Sequence, residues 1–338
     1  MVLARKYVLT KHFEGEPKRS DLTIVDEELP PLQHGEFLVE AQYLSVDPYM
    51  RPYAAQFPAG ITMIGGQVAK IIESKNSEYP VGKSIVGYFG WRTHTIVNVE
   101  QEDESPLQQK PYIIPEFGDL PASLALGVLG MPGNTAYFGF LEICQPKPGE
   151  TLVVSGAAGA VGSHVGQIAK TLGLKVIGIA GSDKKCEWLK KELGFDVAIN
   201  YKTQNIVKEL KTAAPDGVDC YFDNVGGDIS SVVLYNMNSF GRVSACGSIS
   251  SYNADMSKLP KSPLVQHALV FKQLKMEGFI VMRWADRWLE GIEKNLQLIR
   301  DGNLKYCETV TVGFDKMFDA FVGMLKGDNI GKAIVKIS

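Results

Sequence analysis

The chain has 338 residues, a net charge of −3 and 45% hydrophobic residues. That length exceeds one ordinary core and points to two domains. The near-neutral charge gives no electrostatic case for nucleic acid or an anionic membrane surface, and no apolar run reaches the ~18–20 residues of a membrane span.

Residues 2–9 alternate and read as a strand. Residues 35–45 do the same, with Phe37, Val39, Ala41 and Tyr43 opposite Leu38, Glu40, Gln42 and Leu44. Further short strands are expected at 68–74, 84–89 and 93–99, separated by Gly65-Gly66, Pro80 and Gly82. This first part is mostly β, a partly open barrel or folded sheet. Residues 101–115 are polar and read as a loop. Residues 120–129 read as helical, and a second helix opens near Asn134 and ends at Pro146–Gly149.

From Thr151 the texture alternates. Strands are expected at 152–155, 175–180, 197–200, 218–223, 241–246 and 276–282, with helices between them, such as 184–193 and 205–213. Strands alternating with helices of this length make a parallel sheet through βαβ crossovers. A helix at 284–300 follows. The tail reads strand, helix, strand, and is expected to rejoin the first domain. The boundaries expected are 1–123 plus 305–338 for the β-rich domain and 124–304 for the α/β domain.

The stretch from Thr151 to Ser163 reads as strand, tight turn, helix. A β-branched run breaks into Gly156, Gly159 and Gly162, and Val161, Val165, Ile168, Ala169 and Leu172 then share one helical face. Glycines let the backbone approach an anion, and the helix N-terminus offers N–H groups and a positive dipole end. The spacing is G-x-x-G-x-x-G, an imperfect fingerprint, but it opens the first turn of a parallel sheet, where a dinucleotide pyrophosphate belongs. An acidic residue ending the second strand would favour NAD. Here that strand ends Ala180-Gly181-Ser182, with Lys184 and Lys185 close behind. A hydroxyl and a cation suit a 2′-phosphate, so NADPH is the expected cofactor. Asp183 is read as the N-cap of the next helix.

Several runs together carry a family resemblance: Val46-Asp-Pro-Tyr49-Met-Arg51, Ala157–Gly162, Asn200-Tyr201-Lys202, Tyr221–Gly227, Cys246–Asn253, Phe279–Trp284 and Lys326–Lys332. In this order, across nearly the whole chain, the sequence resembles the zinc-free medium-chain dehydrogenase/reductases. More narrowly it resembles the prostaglandin reductase and leukotriene B4 12-hydroxydehydrogenase family of NADP-dependent alkenal reductases. The resemblance implies an α/β fold, a Rossmann doubly wound parallel sheet plus a GroES-like, mostly-β catalytic domain. It implies that Gly159, Ala160, Val161 and Gly162 hold the pyrophosphate and that Lys185 and Tyr201 meet the 2′-phosphate and its ribose. Asn224 and the run Cys246, Gly247, Ser248, Ile249, Ser250, Ser251 and Tyr252 would line the path toward the nicotinamide. Phe279, Ile280, Val281, Met282, Arg283, Trp284 and Ala285, with Asn329, would lie near the nicotinamide itself. No cysteine precedes Cys144, and the five cysteines and five histidines are scattered without a ligand spacing, so no metal is expected. Where family members often place a tyrosine over the substrate, this chain has Phe271, which donates no hydrogen bond.

The activity implied is reduction of the α,β double bond of lipid-derived enones and enals, 15-oxo-prostaglandins and 2-alkenals among them. Dehydrogenation of the leukotriene alcohol is a further expectation of the same fold. That chemistry needs hydride delivery, stabilisation of a developing enolate oxygen and a proton for the α-carbon. Donors weighed for the enolate are Tyr49, Tyr252, a backbone N–H and the cofactor's ribose hydroxyl, with the ribose hydroxyl favoured and Tyr49 or Tyr252 assisting. Arg51 is read as structural or cofactor-facing, and Cys246 as lining rather than as a nucleophile. Alternatives are an NADPH quinone oxidoreductase and a crystallin-like NADPH-binding protein without turnover. Residues 1–6 lack the apolar stretch of a signal peptide, so a cytoplasmic protein is expected, as a homodimer or monomer, with a dimer contact through the sixth strand.

Overall fold

The computed structural model describes residues 2–100, 109–255 and 265–337. The part of the expected 101–115 loop at 101–108 lies outside the described residues, and Tyr112–Ile113, later in that loop, is a short strand. The chain divides into two units, residues 1–127 with 308–329 and 333–338, and residues 128–307 with 330–332.

The first unit is antiparallel. Val2–Leu9 pairs with Leu22–Leu29 in a regular register from Val2 opposite Leu29 to Leu9 opposite Leu22. A second sheet is built on Phe37–Val46, which pairs with Gln67–Ser74 on one side and with the returning tail, from Ala333 opposite Val46 to Lys336 opposite Tyr43, on the other. His94–Val97 also pairs with Phe37–Val46. The helix Met317–Lys326 buries Met317, Phe318, Phe321 and Met324, a 3.6-residue stripe, and stops at Gly327 in the left-handed conformation (φ 78°). Its Phe321 meets the fully buried Trp91 edge to face with ring centroids 5.6 Å apart, and Tyr7 closes on Trp91 at the same distance.

The second unit is a parallel sheet. Its strands Thr151–Ser155, Lys175–Ala180, Val197–Asn200, Val218–Asp223, Met237–Ala245 and Lys275–Gly278 lie in spatial order 3-2-1-4-5-6. Both faces are covered, and strand alternation shows why. Leu152, Val154, Val176, Cys220 and Phe222 pack under Met131–Cys144 and Gly162–Thr171 through Ala136, Phe140, Val165 and Ile168. The intervening Val153, Ile177, Ile179 and Tyr221 pack on the opposite side, against Leu210, Val233, Leu234 and Ala268. This is a doubly wound sheet, as the alternation of strands and helices implied.

Several expected boundaries shift. The sixth strand ends at Gly278 rather than Met282, because Phe279 and Trp284 turn into the core: Phe279 fills the notch left by Gly139, where a Cβ would sit 2.2 Å from its ring, and Trp284 stacks on Phe138 at 5.5 Å. The expected helix at 284–300 is a 3₁₀ turn, Val281–Arg287, kinked at Trp284, followed by Trp288–Arg300. The helical stretch at 120–129 is a 3₁₀ turn, Ala122–Leu126. The fifth strand begins earlier, at Met237, and passes through Phe240 at φ 64°.

Arg242 anchors the base of this sheet. It donates from Nε to the Cys144 carbonyl (2.7 Å) and from Nη2 to the Gln145 carbonyl (3.3 Å), satisfying groups left open at a helix C-terminus. The same guanidinium pairs both nitrogens with Glu150, at 3.0 and 2.5 Å. Burial pushes the Glu150 carboxyl up, but hydrogen bonds from Arg242 and the Lys147 amide, with the Arg242 charge, outweigh it and hold it below its ordinary value. A depressed folded value means the pair stabilises above the ordinary carboxylate range and loses that contribution as pH falls through the folded value. Arg242→Gln is therefore expected to cost about 1–3 kcal/mol at pH 7, with the difference narrowing below about pH 4, read by denaturant unfolding at both pH values.

Candidate functional site

The site forms at the carboxyl ends of the parallel strands, where the order reverses between Thr151–Ser155 and Val218–Asp223. In an open α/β sheet that crevice is where ligands bind. The turn after the first strand is a backbone device. Gly156 takes φ 58°, and the Gly159 amide donates back to its carbonyl (3.0 Å). A Cβ on Gly162 would lie 2.5 Å from the Gly156 carbonyl oxygen and 2.8 Å from the Ala157 Cα, so only glycine lets the helix start this close to the turn. The helix Gly162–Thr171 begins behind Val161, which supplies no side-chain cap. The next two helices are capped, by Ser182 and Asn205. The glycine turn thus presents uncapped N–H groups at a helix N-terminus, the arrangement that receives a phosphate. Buried behind it, His164 is pushed down to about 4 by desolvation and is neutral at physiological pH.

At the end of the second strand the structure corrects one reading. Ser182, not Asp183, caps the helix Asp183–Lys191, its hydroxyl accepting from the Lys185 amide at 3.3 Å. Ser182 has the extended backbone a cap requires (φ −160°, ψ 156°), whereas Asp183 is already helical and accepts from the Asn200 amide at 2.7 Å. The acid is thereby tied to the third strand. Lys185 is half-buried, the third residue of that helix, and Tyr201 lies over Gly181, where a Cβ would stand 3.0 Å from its ring. Tyr201 remains 43% exposed, an open aromatic face over Gly181. The fold thus brings Tyr201, from the end of the third strand, onto Gly181 next to Ser182.

At the end of the fourth strand hydrogen bonds tie the chain to the first strand. Asn224 donates from its backbone to Ser155 Oγ (2.9 Å) and from its side chain to the Ser155 carbonyl (2.8 Å). Ser155 Oγ donates to Asp223 (2.9 Å). Neither Ser155 nor Asp223 was given a role from sequence. The available signal was an acid closing the strand Val218–Asp223 just after the buried pair Tyr221 and Phe222. Cys246 and Gly247 follow the fifth strand and both donate their amides to the Asp223 carbonyl, at 2.9 and 3.0 Å. Burial, and then the Asp223 carboxylate, push the Cys246 thiol up to about 12, so it is no nucleophile. Ser248 precedes a 3₁₀ turn, Ile249–Ser251 with Ser250 at its centre, and the Tyr252 hydroxyl folds back to accept from the Ser248 amide at 3.2 Å.

The run Phe279 to Ala285 splits. Phe279, Val281 and Trp284 point into the core, so any contact of theirs with a ligand goes through backbone; Ile280, Arg283 and Ala285 are exposed and Met282 is half-buried. Phe271 is 72% exposed and packs on His267 with centroids 4.4 Å apart. Tyr49 and Asn329 belong to the first unit. Tyr49 meets Tyr53 edge to face at 5.7 Å, and burial, then Asp47, raise its phenol well above the ordinary value. Arg51 is structural: it donates to the carbonyls of Phe13 (3.2 Å) and Gly15 (3.0 Å) and lies over the Phe13 ring. Among the described residues no group of three or more His, Cys, Asp or Glu is placed to hold a metal ion.

Strand order, glycine turn and crevice define a dinucleotide-binding α/β unit, and the chain also carries a β-rich unit, the two parts found in medium-chain dehydrogenase/reductases. Residues 5–104 match the family model for the N-terminal domain of oxidoreductases, and residues 160–297 that for zinc-binding dehydrogenases. Prostaglandin reductase 1 of Rattus norvegicus is 51% identical over 338 residues, covering 99% of this chain and all of the relative. The NADP(+)-dependent 2-alkenal reductase of Nicotiana tabacum is 38% identical over 346 residues, covering 99% and 97%. The structure of CurA from Vibrio vulnificus in complex with NADPH superposes with a TM-score of 0.90 at 38% identity, covering 99% of each chain. The chain belongs to the prostaglandin reductase family of these enzymes.

Proposed function

We propose that this protein reduces the α,β carbon–carbon double bond of enones and enals with NADPH, 15-oxo-prostaglandins and 2-alkenals being the substrate class. The observation that carries the reading is the full-length identity to a prostaglandin reductase, together with a crevice whose residues fit the cofactor. The fit is physical. The turn Gly159, Ala160, Val161 and Gly162 leads into a helix with no side-chain cap, and Gly162 lets that helix start where a Cβ would meet the Gly156 carbonyl oxygen at 2.5 Å. Ser182, Lys185 and Tyr201 supply a hydroxyl, a cation and an aromatic face for a 2′-phosphorylated ribose, while Asp183 is held by Asn200. Asn224, the turn from Cys246 to Tyr252, the backbone from Phe279 to Ala285, and Asn329 complete the binding set. When bound, NADPH supplies the hydride for the β-carbon.

The protein's own part is to bind, orient and polarise. Tyr49 or Tyr252 assists by donating a hydrogen bond to the developing enolate oxygen: burial and Asp47 keep the Tyr49 phenol protonated, and the Ser248 amide donates to the Tyr252 hydroxyl. Phe271 adds apolar surface only. The domain division is proposed at 1–123 with 305–338 and 124–304. The location is proposed as cytosolic; no helix among the described residues is long and apolar enough to cross a membrane. We also propose a homodimer across the outermost strand Lys275–Gly278, in which Met276 is exposed, as are Val270 and Phe271 just before it in the chain. Sedimentation at micromolar concentration showing only monomer rejects that contact.

The activity is tested by NADPH absorbance with a 15-oxo-prostaglandin, 4-hydroxynonenal and a quinone in parallel. Oxidation by the first two supports the reading. Oxidation by the quinone alone, or binding without turnover, rejects it.

A further inference from the structure

Asp223 is 3% exposed, at the carboxyl end of the fourth strand. Its Oδ1 accepts from four donors: Ser155 Oγ (2.9 Å), the Tyr221 hydroxyl (2.8 Å) and the amides of Val225 (3.0 Å) and Gly226 (2.9 Å). Four donors on one oxygen is the pattern of an ionised carboxylate, and every one of these donors is uncharged. Among the described residues no ion pair involves Asp223, although buried carboxylates ordinarily keep a cation beside them. The charge also reaches its surroundings: after burial, it is what raises Cys246 in the same crevice.

Position indicates what the charge is for. The glycine turn and Ser182, Lys185 and Tyr201 lie in the first half of the sheet, the half that takes the adenosine phosphates. The nicotinamide half of a dinucleotide therefore falls to strands four to six, whose first carboxyl end is Asp223. That ring is neutral when reduced and carries a positive charge once it has given up a hydride, two electrons with one proton. We propose that Asp223 is a positioning residue that fixes the Asn224 turn and whose buried negative charge favours the oxidised, cationic ring over the reduced one, assisting hydride release. The neutral donors hold the carboxylate in place without cancelling its charge. The inference rests on the cofactor reading above and on nothing about the substrate.

The test is the pair of dissociation constants for NADP+ and NADPH, measured calorimetrically without substrate. Asp223→Asn keeps the size and the acceptor oxygen and removes the charge. It is expected to weaken NADP+ roughly 3–10-fold more than NADPH, the scale of one charge acting across a partly polar interior. Tyr221→Phe disturbs the same set of hydrogen bonds with the charge kept, and is expected to change both affinities by the same factor. Equal weakening in Asp223→Asn, or an equal shift of the ratio in Tyr221→Phe, overturns the proposal. If Asp223→Asn does not fold, Asp223→Ser gives the same readout. A protein that binds both nucleotides but reduces no enone still decides the question, so this test and the substrate reading fail separately.

Discussion

Lys185→Ala is expected to weaken NADPH roughly 10–100-fold while leaving NADH within about twofold, because the contact proposed for Lys185 is a charge-assisted hydrogen bond to the 2′-phosphate, which NADH lacks. The specificity follows from the arrangement at the end of the second strand. Ser182 is fixed by its cap to the Lys185 amide, Lys185 stands in the first helical turn, and Tyr201 lies over Gly181. Asp183, the acid that would oppose a 2′-phosphate, is held by Asn200 at 2.7 Å. Fluorescence titration with both cofactors checks the result. Equal losses for NADPH and NADH would show that Lys185 does not read the 2′-phosphate.

Gly162→Ala is expected to abolish cofactor binding within the usable range, a loss of roughly 100-fold or more, and to destabilise the protein by about 1–3 kcal/mol. The added methyl meets backbone on two sides, at 2.5 and 2.8 Å, and backbone in a tight turn has nowhere to go. Gly159→Ala is the internal comparison. There the nearest atom is the Gly156 carbonyl oxygen at 3.3 Å, so a smaller loss is expected. Nucleotide titration and thermal unfolding of the two variants give the comparison. Equal effects would mean that steric closeness does not set the requirement for glycine.

The doubly wound sheet was legible because two periods are written into the chain. Apolar runs of strand length recur from residue 152 onward, separated by helical stripes, and the first strand breaks into glycines. The antiparallel unit was legible for a related reason, the two-residue alternation of Phe37–Val46. What the sequence blurred were points where two physical readings share one pattern. Phe279 to Met282 is as apolar as a strand, yet its aromatic side chain leaves the sheet to fill the Gly139 notch. Ser182 and Asp183 are both good caps, and only the backbone angles separate them. Asp223 is an acid in a buried strand, and nothing local says that it collects Ser155, Tyr221 and two amides from a turn. The crevice is a product of topology: Ser155 and Asp223 are 68 residues apart and meet because the strand order reverses between them. Periodicity reports elements, and partners across the sheet follow only once the elements are placed.

The measurement that addresses the central claim is isotope placement. NADPH carrying deuterium at the transferable C4 position is incubated with the enzyme and a 15-oxo-prostaglandin, and the product is examined by mass spectrometry and NMR. The account predicts a saturated ketone with deuterium on the β-carbon. Deuterium on the carbonyl carbon of an allylic alcohol would contradict it.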